Sequence, residues 1–226
     1  MANTKPLKLY GHASGPNPTK VVIILEELKV PYEIEYVDFS KIKQEPFISV
    51  NPNGRVPAIQ DPNTGITLWE SGAIIECLID TYDKDCAISY STFPEKYLQS
   101  QWKHLQMSGQ GPYFGQAAWF QFFHSEKNIT SAIDRYKNEI KRIISVIDLH
   151  LTKTGKPYLV GDKVTFADLM FVPWNIVAAD MLMGGSFAEE WQKTHPKAWE
   201  WHQSLASRAS VEQAQEIKAK ARAEGK

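Results

Sequence analysis

The sequence predicts a small mixed α/β domain followed by a larger all-α domain. Up to residue 83, short apolar segments with strand character alternate with segments that have helical spacing, whereas strand signals stop beyond residue 94. Residues 84–93 between these parts are irregular and polar, as is typical of a linker. We therefore expect one domain over residues 1–83, a linker over 84–93, and a helical domain over 94–226.

The composition narrows the class of protein. The chain has 226 residues, of which 43% are hydrophobic and 23% are charged, and its net charge of −1 gives no basis for attraction to nucleic acid or to an acidic membrane. The sequence contains no apolar run of the roughly 18 residues that a membrane helix needs, and its start lacks the apolar segment of a secretory signal. Cys77 and Cys86 match no metal-ligand spacing. We expect a cytoplasmic protein with reduced cysteines and with no metal, nucleic-acid or membrane partner.

The first domain is predicted to have the element order β-α-β-(α)-β-β-α. Residues 8–10 and 32–37 predict two strands, with a helix between them that begins with Asn17 as its cap and Pro18 as its first residue. Residues 56–60 and 66–69 predict a hairpin, and Ser71 begins the last helix of the domain. An alternating start favours a parallel strand pair, and the hairpin adds an antiparallel edge.

The second domain is predicted to be a series of amphipathic helices. A long helix runs from Pro94 and is interrupted near residues 109–112, and an apolar stripe over residues 133–151 predicts another. Thr165 and Asp168 have the spacing of a capping box. The last helix is predicted from Pro196, and the residues after Val211 are expected to form a frayed helical end.

The loop before the first helix contains two candidate groups for binding a sulfur anion. Ser14 and Asn17 have an ordinary interpretation, since serine and asparagine commonly cap helices and the Gly-Pro pair between them commonly forms a turn. Either side chain could instead donate a hydrogen bond to a thiolate, which a helix N-terminus also stabilises. No cysteine lies in this loop, so the sulfur would belong to a ligand.

Two further segments are candidates for binding a peptide-like ligand. The Val56–Pro57 bond could be cis, which would turn the backbone N–H and C=O of Val56 outward to pair with an extended chain, although a plain loop entering a strand is an equally ordinary interpretation. Ser71 at a helix start could hold a carboxylate, and Glu70 could accept hydrogen bonds from a neighbouring ammonium group, although an ordinary cap is again the alternative.

Together the segments predict a sulfur site, a backbone-pairing site and an α-amino-acid site. Glutathione presents the matching groups, namely a free thiol, a cysteinyl backbone and a γ-glutamyl end. We therefore expect glutathione as a co-substrate, with no metal cofactor.

The chain resembles the cytosolic glutathione transferases over nearly its whole length. The segments that carry the resemblance are residues 50–59, 68–74 and 160–168. Residues 14–17 with Lys20 and Val21, together with residues 115–117 and 123–125, are similar to the fungal branch that includes the yeast nitrogen-catabolite regulator, and to its bacterial disulfide-reductase relatives. The resemblance implies a thioredoxin-like N-terminal domain, an all-helical C-terminal domain and a homodimer.

The resemblance also implies roles for individual residues. It implies that Asn17 holds the glutathione sulfur, with Ser14 as the alternative thiol activator, that Val56 pairs with the cysteinyl backbone, and that Glu70 and Ser71 hold the γ-glutamyl group. Arg55 would lie near the glutathione backbone, Arg135 would approach glutathione, and Lys43 or Gln44 would meet the glycyl carboxylate. Tyr10 is expected in the core rather than at the thiol.

The sequence does not identify the second substrate. An apolar electrophile, a disulfide or a peroxide is expected beside the sulfur. The aromatic residues at the edge of the expected pocket are more often core or dimer interface than pocket wall, although some could serve as both: Tyr113, Phe114, Trp119, Phe120, Phe122 and Phe123. The principal hypothesis is an enzyme that conjugates or reduces its substrate with glutathione. The alternative is a glutathione-binding regulator of nitrogen metabolism that acts through a protein partner. The sequence lacks the Asn/Gln-rich tract of the yeast regulator, which favours the enzyme.

Overall fold

A computed structural model describes residues 4–226 and divides the chain into two compact units. The first unit comprises the described part of Met1–Ile88 together with Arg208–Lys226, and the second comprises Ser89–Ser207. The boundary at Ile88 falls inside the predicted linker of residues 84–93. The C-terminal end differs from the predicted division of 94–226, because residues from Arg208 onward belong to the first unit.

A mixed sheet forms the centre of the first unit. Its strands are β1 (Leu7–Gly11), β2 (Tyr32–Tyr36), β3 (Ala58–Asp61) and β4 (Ile66–Trp69), in the order β2-β1-β3-β4. β1 and β2 are parallel, and β3 is antiparallel to both β1 and β4. This confirms the predicted parallel pair with an antiparallel hairpin at one edge.

Helices surround this sheet. They are α1 (Pro16–Leu28), the short α2 (Phe47–Val50) and α3 (Ser71–Tyr82). Apolar side chains of α1 and α3, among them Ile24 and Ile74, are fully buried with Leu9 of the sheet. Tyr10 packs with Phe47 in a second apolar cluster, in agreement with the prediction that it belongs to the core.

The C-terminal segment is a further helix of the first unit. This helix, which follows ten others in the described chain and is labelled α11 (Ala209–Ala223), packs against α1. The prediction of a frayed end was wrong, because Val211, Ala214 and Ala221 recur at helical spacing and are buried. Their small or β-branched side chains form a weak apolar stripe among many lysines and glutamates, which is why the sequence pattern understated it.

The second unit is helical throughout its regular structure. Its helices are α4 (Glu95–Leu105), α5 (Gly111–Ala118), α6 (Thr130–Thr154), α7 (Phe166–Leu169), α8 (Val172–Val177), α9 (Phe187–Thr194) and α10 (Pro196–Ala206). A π-helical turn at Gln106–Gln110 links α4 to α5, which is where the sequence predicted an interruption. Ile140, Ile147 and Leu151 of α6 are buried as the predicted stripe requires. No helix of residues 4–226 is long and apolar enough to cross a membrane.

The predicted capping box lies at the start of α7. The backbone N–H and hydroxyl of Thr165 donate to Asp168 Oδ2 at 2.9 and 2.8 Å. The other oxygen of this buried carboxylate accepts hydrogen bonds from the Leu159 N–H at 2.8 Å and the Trp201 indole at 2.9 Å. Asp168 therefore ties three separate parts of the second unit together.

Candidate functional site

Strand register brings the three predicted ligand-binding segments to one end of the sheet. Tyr10 of β1 pairs with Ala58 of β3, and Ala58 pairs with Trp69 of β4. Because β1 and β4 end and β3 begins near this row of paired residues, the residues just beyond the row lie at the same end of the sheet. Those residues are the loop after β1, the Val56–Pro57 segment before β3, and Glu70 with Ser71 after β4.

The loop after β1 is held by hydrogen bonds to His12. The Ser14 N–H donates to His12 Nδ1 at 3.1 Å, and the Gly15 N–H donates to the His12 carbonyl at 3.0 Å. Ser14 is exposed, and Asn17 is half-buried in the first turn of α1. The prediction that Asn17 caps this helix was wrong, because α1 begins at Pro16 with Gly15 before it. Proline suits a first helical position, so two prolines two residues apart gave alternative starts.

Asparagine side chains fix the segment that contains Val56. Buried Asn51 donates through Nδ2 to the Arg55 carbonyl at 2.6 Å and accepts through Oδ1 from the Asn53 N–H at 2.9 Å. The Val56–Pro57 peptide bond is cis, as the sequence suggested. Val56 precedes the paired residues of β3, so its N–H and C=O lie outside the ladder between β1 and β3. The Arg55 side chain beside it is exposed.

Glu70 has an unusual backbone conformation at the start of α3. Its φ is 70° and its ψ is 114°, a region that residues other than glycine rarely occupy. Such strain costs about 1–3 kcal/mol and tends to persist at functional sites. The exposed Glu70 carboxylate accepts a 3.3 Å hydrogen bond from Asn53 Nδ2, while Ser71 is buried as the first residue of α3. The N-terminus of α3 thus lies beside an anchored carboxylate.

Lys20 is a charged residue at this site to which the sequence interpretation assigned no role. It lies on α1, one turn after Asn17, and only 1% of its surface is exposed. Burial lowers the pKa of its ammonium group to about 7, and the Glu70 carboxylate opposes this by favouring the charged form. The sequence signal for Lys20 was a charged residue among the apolar positions of α1. Asn51 and Asn53 lie in the motif of residues 50–59, but their hydrogen bonds were not predicted from it.

Of the remaining predicted site residues, Lys43 adjoins the segment that contains Val56, since its side chain lies against Gly54. Lys43 is exposed, and Gln44 donates through Nε2 to the Ser40 carbonyl at 2.9 Å within its own loop. Arg135 is an exposed residue of α6 in the second unit. Their proposed contacts with glutathione stay predictions.

The aromatic run in the second unit divides by burial. Phe114 is fully buried, and Phe120 stacks on Tyr136 with ring centroids 5.6 Å apart. Trp119 and Phe123, in a π-helical turn, are 49% and 67% exposed. Part of this run is therefore core, and its role towards a second substrate stays a prediction.

The cysteines and possible metal ligands of the described chain bear on the remaining predictions. Cys77 and Cys86 are not joined in a disulfide. Within residues 4–226, the acidic, histidine and cysteine side chains form no cluster of three or more that could hold a metal ion.

Comparison with known proteins agrees with this architecture. Residues 5–79 match the family model of the glutathione S-transferase N-terminal domain, and residues 115–216 match a model of the C-terminal domain. The chain is 45% identical to "Glutathione S-transferase 2" of Schizosaccharomyces pombe over 95% of its length and 96% of that protein. It is 34% identical to "Protein URE2" of Debaryomyces hansenii, covering 92% of this chain and 77% of that one.

A solved structure has the same fold. The glutathione transferase URE2P6 from Phanerochaete chrysosporium, in complex with oxidized glutathione, superposes with a TM-score of 0.89 at 45% identity, covering 98% of this chain and all of that one. These matches extend over both units of the chain. The chain belongs to the glutathione S-transferase family, in the branch of transferases related to the fungal nitrogen regulator.

Proposed function

We propose that the first unit binds glutathione and activates its thiol. The observation that carries this proposal is the strand register that brings the loop after β1, Val56 and the Glu70–Ser71 pair to one end of the sheet. In this assignment Ser71 and the N-terminus of α3 hold the γ-glutamyl carboxylate, and Glu70 accepts hydrogen bonds from the γ-glutamyl ammonium group. The N–H and C=O of Val56 pair with the cysteinyl backbone.

Asn17 is the proposed thiol activator, with Ser14 as the alternative. A cysteine-type thiol has a pKa of about 8.5, and lowering it by about two units requires about 2.7 kcal/mol. A hydrogen bond from the Asn17 amide to the thiolate contributes about 1.5–3 kcal/mol. The N-terminus of α1 adds about 0.3–1 kcal/mol. The two together are sufficient, so no protein nucleophile is needed.

Other residues complete the proposed ligand contacts. Arg55, which follows the anchored Asn51 loop, would approach the glutathione backbone, and Lys43 or Gln44 would meet the glycyl carboxylate. Arg135 is proposed as a further glutathione contact. A homodimer and a cytoplasmic location, as expected from the family, belong to the same proposal.

The proposed reaction is attack of the glutathione thiolate on a second substrate. With an electrophile, a carbon–sulfur bond forms and the leaving group departs. With a mixed disulfide, a new sulfur–sulfur bond forms and the other thiolate is released. In both reactions orientation and thiolate stabilisation supply the catalysis. The oxidized glutathione in URE2P6 supports the disulfide reaction as a serious alternative to conjugation.

A glutathione-binding regulator is the second candidate function. The similarity to "Protein URE2" over 92% of this chain favours it. In that case the glutathione site would be present, and the protein would act by holding a protein partner rather than by turnover.

Steady-state assays separate these functions. Purified protein would be assayed with glutathione against an aryl halide and against a glutathionyl mixed disulfide, for wild type, Asn17→Ala and Ser14→Ala. Asn138→Ala, which removes an exposed amide on α6, is the matched control. We expect turnover in the wild type that is lost in Asn17→Ala and retained in Ser14→Ala and Asn138→Ala. Loss only in Ser14→Ala would transfer the activator role to Ser14, and glutathione binding without turnover on either substrate would favour the regulator.

A further inference from the structure

His12 organises the loop that precedes α1. Its ring nitrogen Nδ1 accepts the Ser14 N–H at 3.1 Å, and its carbonyl accepts the Gly15 N–H at 3.0 Å. The first contact joins a side chain to the backbone N–H two residues later, which is the pattern by which Asn and Asp side chains stabilise turns. The loop that ends in Asn17 is thus closed through an imidazole.

This hydrogen bond requires one protonation state of His12. A backbone N–H can only donate, so Nδ1 must be unprotonated and the imidazole proton must lie on Nε2. A second proton would occupy Nδ1 and remove the acceptor. The Nδ1–H of His12 and the backbone N–H of Ser14 would then repel each other. The closed loop and the charged imidazole therefore exclude each other.

The surroundings of His12 come from three parts of the first unit. Its ring stacks on Phe39 with centroids 3.8 Å apart and an interplanar angle of 19°. Burial, the largest influence, lowers the pKa of His12; Asp38 raises it and Arg222 of α11 lowers it further, so the net change is a decrease. Tyr36 and Lys218 line a small cavity with it. Burial and Arg222 outweigh Asp38, so these surroundings favour the neutral ring at neutral pH.

We infer that His12 is a positioning residue that holds the Ser14–Asn17 loop in its thiol-binding form while its imidazole is neutral, and releases the loop when it gains a proton. The consequence for glutathione rests on the function proposed above, whereas the coupling between His12 and Ser14 does not. His12 acts through the loop and is not assigned a contact with the thiol.

The two ring nitrogens can be distinguished by substitution. In His12→Asn the side-chain Oδ1 takes the position of Nδ1 and does not titrate, so the variant keeps the acceptor at every pH. In His12→Gln the carbonyl oxygen lies one bond further out, so the acceptor is lost at every pH. His104→Asn, at an exposed histidine of the second unit, is the control.

The kinetic test compares kcat/KM for glutathione between pH 5 and pH 8. Ratios between variants at each pH cancel the ionisation of the glutathione thiol itself. We expect the ratio of wild type to His12→Asn to be constant above pH 7 and to fall as His12 gains its proton below its ordinary pKa of 6.5, by about fivefold once the ring is fully charged, which is the factor that one hydrogen bond supplies. His12→Gln should be lower than His12→Asn by a similar factor throughout, and His104→Asn should follow wild type. A constant ratio of wild type to His12→Asn, or equal activity of the Asn and Gln variants, would overturn the inference.

Nuclear magnetic resonance of the ligand-free protein gives a second readout. We expect the His12 nitrogens to report the Nε2–H tautomer at pH 7.5, and the Ser14 amide proton to shift with the same midpoint as the ring. The Nδ1–H tautomer, or a Ser14 amide that ignores the titration, would overturn the inference even if glutathione turnover is normal. Absence of glutathione binding at pH 8 would instead contradict the proposed function and leave this spectroscopic result to decide the role of His12.

Discussion

The Arg208 guanidinium donates two hydrogen bonds, each 2.7 Å long, to the carboxylate of Glu27 and so fastens the start of α11 to the end of α1. The Ser210 hydroxyl donates to the same carboxylate. Burial raises the pKa of Glu27, and the bonds from Arg208 and Ser210 outweigh it, so the pKa is lowered overall. A paired, mostly buried carboxylate thus attaches the C-terminal helix to the first unit.

Removal of one partner of this pair should loosen α11. We expect Arg208→Met and Glu27→Gln each to lower the free energy of unfolding by about 2 kcal/mol, since each leaves the other charge without its bidentate partner. A double-mutant cycle should give a coupling of at least about 1 kcal/mol, and hydrogen exchange of α11 amides should accelerate. The exposed Lys197–Glu200 pair serves as control, because Lys197→Gln should change stability very little. Additive effects of the two substitutions would contradict this role.

Lys20 should make the fold less stable at neutral pH than an apolar residue would. We expect Lys20→Met to raise the free energy of unfolding by about 1–4 kcal/mol at pH 7, because burial makes the ammonium form of Lys20 less favourable in the folded state than in water. The folded-state pKa is about 7 and the ordinary value is 10.5. Between pH 7 and 10.5 the folded state therefore binds fewer protons than the unfolded state. Wild-type stability rises as the pH rises through this range, so the stability difference between Lys20→Met and wild type should narrow.

Urea unfolding at pH 7 and at pH 9.5 would measure the difference between wild type and Lys20→Met. Lys193→Met, at an exposed position of α9, is the matched control and should show no such pH dependence. A difference that widens as the pH rises would mean that Lys20 is charged in the folded state well above pH 7.

Asp168 should be essential for the stability of the second unit. We expect Asp168→Asn to lower its free energy of unfolding by about 3 kcal/mol, because an amide nitrogen would face donors that now meet a carboxylate oxygen. Burial raises the pKa of this carboxyl, and the hydrogen bonds from Leu159, Trp201 and Thr165 oppose that rise. Asp162→Asn, at an exposed position of the same motif, should be nearly neutral in thermal unfolding. Similar losses in the two variants would show that the buried network is unimportant.

His202 should contribute to loss of stability in acid. It is buried against Trp191, and burial lowers its pKa from 6.5 to about 4. Because the unfolded state binds a proton that the folded state does not bind between these values, stability falls as the pH drops from 6.5 to 4. We expect His202→Phe to lose about 3 kcal/mol less than wild type over this window, measured by chemical unfolding. His104→Gln should behave like wild type, and an equal loss in His202→Phe would contradict the assignment.

The sequence predicted the parts of the fold that depend on local pattern. The α6 stripe, the hairpin of β3 and β4, and the Thr165–Asp168 box each have a short-range signal, and the structure has all three. The docking of α11 was missed because its apolar stripe is weak and because the Glu27–Arg208 pair joins residues that are 181 apart in sequence. Such a pairing leaves no periodic signal in either segment.

The sequence motifs predicted which segments meet at one end of the sheet, but not the residues that support those segments. Asn17, Val56, Glu70 and Ser71 lie in recognisable motifs. His12 and Lys20 depend on burial and on partners brought together by the sheet register, which a single sequence does not report. The exact start of α1 was also ambiguous, because Pro16 and Pro18 each suit a first helical turn.

Calorimetric titration of glutathione into the wild-type protein and into Glu70→Gln tests the central claim most directly. Glu70 has the strained backbone at the end of the sheet where the proposed site lies. Loss of its charged hydrogen bond to the γ-glutamyl ammonium group should weaken glutathione affinity by about tenfold or more. Glu76→Gln, at an exposed position of α3, is the matched control and should bind glutathione like wild type. Saturable binding that weakens only in Glu70→Gln would support the site. No binding to wild type, or equal binding to all three proteins, would contradict it.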